Sequence, residues 1–343
     1  MINETDQIQY HSLEEAIHSV FGNDASEIRR ERVHGGDIND AYRLSLSTGE
    51  KVFVKTNSIG NWDFFRTESH SLLALRGTET IGVPKVLGTG IDEQKGFSFL
   101  LLEWMERVPP VKNYWEIFGH ELAALHRAEY ELHPAKCPLR APHNTYPFEA
   151  DVLCPAKYTL RAPHDTCPSG ASGLRPARYG FEEDNFIGAN PQKNSPMETW
   201  IDFYRECRLT PQIRMAEHYL DSKMRKKIAH LLDHLDSYLR EPAFPSLLHG
   251  DLWNGNVLCG NDGKAWILDP AAYVGDFETD LAMTQLFGSF PSAFYSAYSE
   301  INPIDKGYEE RRDLYHLYHL LNHLNLFGRM YLGSVTNILN RYI

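Results

Sequence analysis

Residues 247–276 read LLHGDLWNGNVLCGNDGKAWILDPAAYVGD, and three oxygen-bearing side chains within them, Asp251, Asn256 and Asp269, organise the reading of the whole chain. Asn261-Asp262-Gly263 is a turn signal between the apolar runs NVLCG and KAWILD, so the stretch predicts a β-hairpin. Asn256 precedes one strand of that hairpin and Asp269 closes its antiparallel partner, so the turn folds both side chains to the same end. Asp251 stands in the loop that leads in. Taken singly, Asp-Leu-Trp-Asn is an ordinary turn and Asp-Pro an ordinary loop start. Their order and spacing together carry the meaning.

Phosphoryl transfer from ATP needs a carboxylate to orient and deprotonate the attacking hydroxyl, and hard oxygen donors to hold magnesium on the phosphates. The interval from Asp251 to Asn256 equals that of the kinase catalytic loop H-R-D-x-x-x-x-N, with Gly250 where the arginine would stand. Asp251 is therefore the candidate catalytic carboxylate, and Asn256 and Asp269 are the candidate Mg2+ ligands. Upstream, HGGDIND places Gly35, Gly36, Asp37, Ile38 and Asn39 in a turn whose glycines let backbone approach phosphate oxygens without a Cβ clash. Two strands later FVK ends in Lys55, expected on the α- and β-phosphates, and Glu68 in the next helix is expected to hold it. The run LLLEWME closes this part of the chain, where Glu103, Trp104 and Met105 are placed by position to offer backbone groups to an adenine edge.

Around these motifs the pattern changes once. SLEEAIHSVF (residues 12–21) predicts a short helix capped by Ser12, with Glu15 completing a capping box. Period-two segments around 28–33, AYRLSL and KVFVK predict an antiparallel meander, DFFRTESHSLLALR a helix, and VPKVLGTGI with GFSFLLLEWM two more strands. Beyond Trp104 the periodicity is mainly helical, at 117–130, 197–220, 223–239 and 313–332. The expectation is an α+β chain of two lobes: residues 1–105 as a small antiparallel-sheet, ATP-binding lobe and 106–343 as a larger helical catalytic and substrate lobe. One stretch breaks the pattern. PAKCPLRAPHNT (134–145) recurs as PAKYTLRAPHDT (155–166), identical at nine of twelve positions, in a segment rich in Pro, Arg and His and poor in large apolar residues. Residues 133–178 are read as a duplicated, poorly ordered surface insertion whose removal leaves activity intact.

Composition narrows the partners. Lys plus Arg number 34 and Asp plus Glu 46, a net charge of −12, which repels nucleic acid and anionic lipid. No leader pattern and no long apolar run is present, so a cytoplasmic location is expected, with no membrane partner. Five cysteines without a CxxC pair fit reduced thiols.

The blocks GGDINDAYRL, FVKTN, FFRTES, LLEWM, LAALHR, YGFEEDNFIG, RLTPQ, LLHGDLWNGN, DPAAYVGDFETDLAMTQLFG and LYHLLNHLNLFG resemble the fructosamine kinase (ketosamine kinase) family nearly end to end, with 133–178 as the main departure. The resemblance implies a protein-kinase-like fold of the aminoglycoside phosphotransferase type. It also implies ATP- and Mg2+-dependent phosphorylation of a sugar hydroxyl on a small-molecule or protein-bound ketosamine. Carried over residue by residue, it adds Trp253 as a surface for the sugar face or for the loop itself. It adds Asp276 and Glu278, with Asp280, as groups that attract the substrate amine or anchor the catalytic loop, the anchoring role being preferred. His316, His319 and His323 share a helical face, and the family pattern implies packing there rather than metal binding. The alternatives are an aminoglycoside- or choline-type kinase of the same fold, which needs the same three residues, and a non-catalytic nucleotide-binding scaffold.

Overall fold

Strand alternation in the first hundred residues gives every second side chain to each face of one sheet. In the computed structural model, which describes residues 8–33, 38–130 and 178–343, the chain runs β1 (Gln9–Tyr10), α1 (Leu13–Phe21), β2 (Glu27–Arg32), β3 (Asp40–Leu46), β4 (Lys51–Ser58), α2 (Trp62–Arg76), β5 (Val86–Asp92) and β6 (Phe97–Glu103). The strands form one six-stranded sheet in the order β1-β5-β6-β4-β3-β2. β6 shows the division of faces: Phe99 and Leu101 join the cluster under α1, whereas Leu100 and Leu102 join the larger core with Phe65, Leu72 and Leu75 of α2. Each such side chain contributes about 1.5–3 kcal/mol when fully buried. The meander and α2 lie where the pattern places them. The sheet is not wholly antiparallel, however, because β1 pairs parallel with β5. Two residues of lead-in chain carry no period-two signal. The Ser12 cap is present, its side chain accepting from the Glu15 N–H at 3.0 Å, while the Glu15 carboxylate accepts from the His11 N–H at 2.8 Å.

The second half is α3 (Tyr114–Arg127), β7 (Asn185–Ile187), β8 (Asn190–Gln192), α4 (Trp200–Phe203), α5 (Thr210–Met215), α6 (Ser222–Asp233), β9 (Ser246–Leu248), β10 (Val257–Cys259), β11 (Ala265–Ile267), β12 (Tyr273–Gly275), α7 (Glu278–Leu286), α8 (Ser292–Ile301), α9 (Tyr308–Phe327) and α10 (Leu332–Tyr342). The helix expected over 197–220 is α4, a π-helical turn (Tyr204–Leu209) and α5. Pro211 explains the irregularity. It has no N–H for the Cys207 carbonyl, which instead accepts from Arg208 Nη1 at 3.0 Å. β10 and β11 form the expected hairpin, Val257 opposite Ile267. β9 with β12 and β7 with β8 form two further antiparallel pairs that brace it. Gly35, Gly36 and Asp37, and all of 133–178 except Arg178, lie outside the described residues. No helix among the described residues is long and apolar enough to cross a membrane.

Candidate active site

The loop that carries Asp251 is fixed from below by a buried carboxylate. Asp280, near the start of α7, accepts from the backbone N–H of His249 at 2.7 Å and of Gly250 at 2.9 Å, and is 1% exposed. Burial alone raises its pKa, but the His126 imidazole at 3.3 Å and the loop amides outweigh burial and hold the group below the usual range. His249 donates through Nε2 to the Leu268 carbonyl at 2.8 Å, and its Nδ1 accepts from the Asp251 N–H at 3.2 Å. Burial lowers the His249 pKa and keeps the ring neutral, as that pattern requires. Gly250 has φ +82°, and a Cβ there would stand 2.0 Å from the Ala271 carbonyl oxygen. Only glycine fits where the kinase loop has arginine.

Held this way, Asp251 faces Asn256, whose Nδ2 donates to the Asp251 carbonyl at 2.8 Å and to its Oδ2 at 3.1 Å. Burial pushes the Asp251 carboxyl up to about 7; the Asn256 bond opposes this, and the carboxylates of Asp269 and Asp280 add to it. Asp269 occupies the left-handed region at φ +55°, uncommon for a non-glycine residue and characteristic of constrained sites. Its Oδ1 accepts from Lys55 Nζ at 2.7 Å, and the same Nζ donates to Glu68 Oε1 at 2.6 Å. Burial pulls the Lys55 pKa down, but Asp269 and Glu68 overcome it and raise it, so the amine stays charged.

Asp251, Asn256, Asp269, Lys55 and Glu68 line one cavity of about 310 Å³, joined by Ile38, Asn39 and Trp253. Trp253 also lies across its own loop: a Cβ on Gly255 would meet its ring at 2.3 Å, so both expected roles are open to it. Glu103, Trp104 and Met105 are not among the cavity's lining residues. The Glu103 N–H donates to the Lys85 carbonyl at 3.0 Å and its Oε1 accepts from the Lys85 N–H at 2.6 Å, which fixes the end of β6 beside Lys85. Of the two roles weighed for Asp276 and Glu278, their burial speaks against substrate contact. Both are 0% exposed and absent from the cavity wall. Glu278 is held by Arg311 at 2.7 and 2.8 Å and by Arg240 at 3.0 Å, and Asp276 accepts from Tyr315 Oη at 3.0 Å. An amine outside the core cannot reach them.

Sequence reasoning missed the aromatic side of the cavity, formed by Phe64, Phe186, Phe327 and His323. Its one signal was that these residues fall inside FFRTES, EEDNFIG and NHLNLFG. His316 donates to the Ala282 carbonyl and His323 to the His319 carbonyl, each at 2.8 Å, as packed imidazoles do.

Asn256 and Asp269 fit a magnesium ion. The Asn256 amide nitrogen is committed to Asp251, which leaves the amide oxygen as the side chain's metal-binding atom on a residue that lines the cavity. The Asp269 side chain is 46% exposed with Oδ2 beyond its bond to Lys55. Hard oxygen donors of this kind, completed by phosphate and water, match magnesium.

Comparison with known proteins identifies the family. The family model described as fructosamine kinase matches residues 9–141 and 172–343, passing over most of the duplicated stretch. A "probable ketoamine kinase" from Synechocystis is 36% identical over 91% of this chain and 89% of its own length. A chloroplastic protein-ribulosamine 3-kinase from Arabidopsis thaliana is 34% identical over 91% and 81%. The crystal structure of a "putative fructosamine-3-kinase" from Haemophilus somnus superposes with a TM-score of 0.75 at 27% identity, covering 99% of each chain.

Proposed function

Since this chain belongs to the fructosamine kinase family and is therefore an ATP-dependent kinase, we propose that it phosphorylates a sugar hydroxyl of a ketosamine in the cavity beneath β3 and β4, with Asp251 as the proton acceptor. The observation that carries the reading is the convergence of Lys55, Glu68, Asp269, Asn256 and Asp251 on one cavity. Lys55, kept charged by two carboxylates, binds the nucleotide phosphates. Asp251 orients the acceptor hydroxyl and takes its proton as the oxygen bonds to the γ-phosphorus and the bond to the β-phosphate oxygen breaks, releasing ADP. A carboxyl raised to about 7 suits that step, because a base works best when its pKa lies near the working pH. Asn256 and Asp269 hold Mg2+, which when bound neutralises phosphate charge.

Of the three carboxylates on the cavity wall, Glu68 and Asp269 are paired with Lys55 and Asp251 is not, and an ammonium group on the substrate would complement that remaining acidic group. The amine of a ketosamine has that charge, and the named activity of the Arabidopsis relative, a protein-ribulosamine 3-kinase, supports the sugar class. The test is ATP consumption with fructosyl-, ribulosyl- and erythrulosyl-lysine, comparing wild type with Asp251→Asn. Turnover that vanishes in the variant is expected. No turnover of any ketosamine by the wild type overturns the substrate assignment, and an active variant overturns the role of Asp251.

A further inference from the structure

The two carboxylates that hold Lys55 come from different halves of the molecule, Glu68 from α2 and Asp269 from the loop after β11, and one short segment reaches both. Residues 183–194, containing the β7–β8 hairpin, are tied beneath the Asp269 loop by buried amides. Asn185 Nδ2 donates to the Ala272 carbonyl at 2.9 Å and Gln192 Nε2 to the Ala271 carbonyl at 3.0 Å. Asn194 Nδ2 donates to the Glu183 carbonyl at 3.0 Å and to Asn185 Oδ1 at 2.9 Å. Asn185, Gln192 and Asn194 are at most 2% exposed, so this end is rigid.

The other end grips α2. Phe186 packs edge-on against Phe64 with ring centroids 4.3 Å apart. The Glu183 carboxylate spans Arg66 Nη1 and His70 Nδ1, one oxygen on each. Arg66 and His70 are four residues apart and share one face of α2, whereas Glu68, midway between them, projects from a different face. A carboxylate fastened across the first face therefore sets the rotation of α2 about its axis, and with it the reach of Glu68 to Lys55. Glu183 is 17% exposed on its side chain, against 34% for Arg66 and 27% for His70. The three groups are thus partly withdrawn from solvent, where charge-assisted bonds are stronger than at an open surface.

We infer that Glu183 is a positioning residue: its double contact with Arg66 and His70, on a hairpin anchored beneath Asp269, holds α2 where Glu68 meets Lys55 and so sets the affinity of the enzyme for the phosphates of ATP. No contact of Glu183 with substrate is involved. The inference rests on the reading of Lys55 as the phosphate-binding group.

The test measures KM for ATP, KM for a ketosamine and kcat in the full chain carrying Glu183→Gln, Arg66→Gln, both together, or Lys55→Met, alongside hydrogen exchange of the α2 amides. Glu183→Gln keeps the shape and removes the charge. It is expected to raise KM for ATP on the order of tenfold, in the range of a typical coupling between sites, to leave the ketosamine KM unchanged, and to speed exchange in α2. Arg66→Gln, which also removes the bond to Asp63, is expected to act in the same direction, and the double variant to fall short of the sum of the two because they share the Arg66–Glu183 contact. An unchanged KM for ATP beside a lowered Tm would mean that Glu183 only supports the fold, and a parallel rise of both KM values would also overturn the inference. If Glu183→Gln does not fold, Arg66→Gln, a change at a partly exposed site, decides on the same readouts. Lys55→Met separates the two levels. If it impairs ATP use while the Glu183 and Arg66 variants are silent, only the positioning role fails; if it leaves ATP use intact, the phosphate contact fails and the positioning role with it.

Discussion

Replacing Asp251 by asparagine should abolish turnover and make the protein more stable, and the two effects have one cause. Folding carries this carboxyl from an ordinary value of 3.8 to about 7, chiefly by burial. Between those values the folded state holds a proton that the unfolded chain has released, so stability falls as pH rises through the window. At about 1.4 kcal/mol for each factor of ten in the constant, the full change costs the wild type up to about 4 kcal/mol above pH 7. An asparagine side chain at this position has no charge to bury and escapes that cost. Urea denaturation of both proteins, without nucleotide and with metal chelated, should show curves that coincide near pH 4 and separate as pH rises, the variant being more stable by about 2–4 kcal/mol at pH 8. Asp276, also raised to about 7 by burial and by Glu278, titrates in the same window but is common to both proteins and cancels in the difference. A variant that is no more stable at pH 8 than at pH 4, relative to wild type, would show that the carboxyl is not held up and remove the argument for a base tuned to neutral pH.

Asp280→Ala strips the acceptor from two buried backbone N–H groups and from His126; it should destabilise the chain by about 3–5 kcal/mol and lower kcat, and a loss under about 1 kcal/mol by urea denaturation would mean that the loop is anchored otherwise. Gly250→Ala places a Cβ 2.0 Å from the Ala271 oxygen at φ +82°; the backbone conformation alone costs about 1–2 kcal/mol, so a variant with wild-type Tm and turnover would refute the account of this glycine. Deleting residues 134–177, most of which the family model passes over, should leave ATP-dependent turnover largely intact, and a deletion variant that folds but has lost turnover would show that the duplicated stretch takes part in the reaction.

What the sequence disclosed, and what it hid, follows from how far each feature depends on contacts distant along the chain. β3 and β4 were legible because a strand with one face more buried than the other alternates, and β6 because a strand buried on both faces is a continuous apolar run, each over seven or eight residues. The pairing of Lys55 with Glu68 and Asp269 was legible only in part: helix position suggests Glu68, but nothing local states that Asp269, 214 residues away, shares the same amine. β7, β8, β9 and β12 are three residues each and too short to show a period, so their pairing, which braces the catalytic loop and carries Glu183 to α2, could be seen only in the folded chain. The acidic run makes the same point in reverse. Asp276, Glu278 and Asp280 look alike in sequence, yet Glu278 bonds two arginines, Asp276 meets a tyrosine and Asp280 ties down two backbone amides. Composition supplies the charge, and only the fold decides whether that charge faces a substrate or the protein's own core.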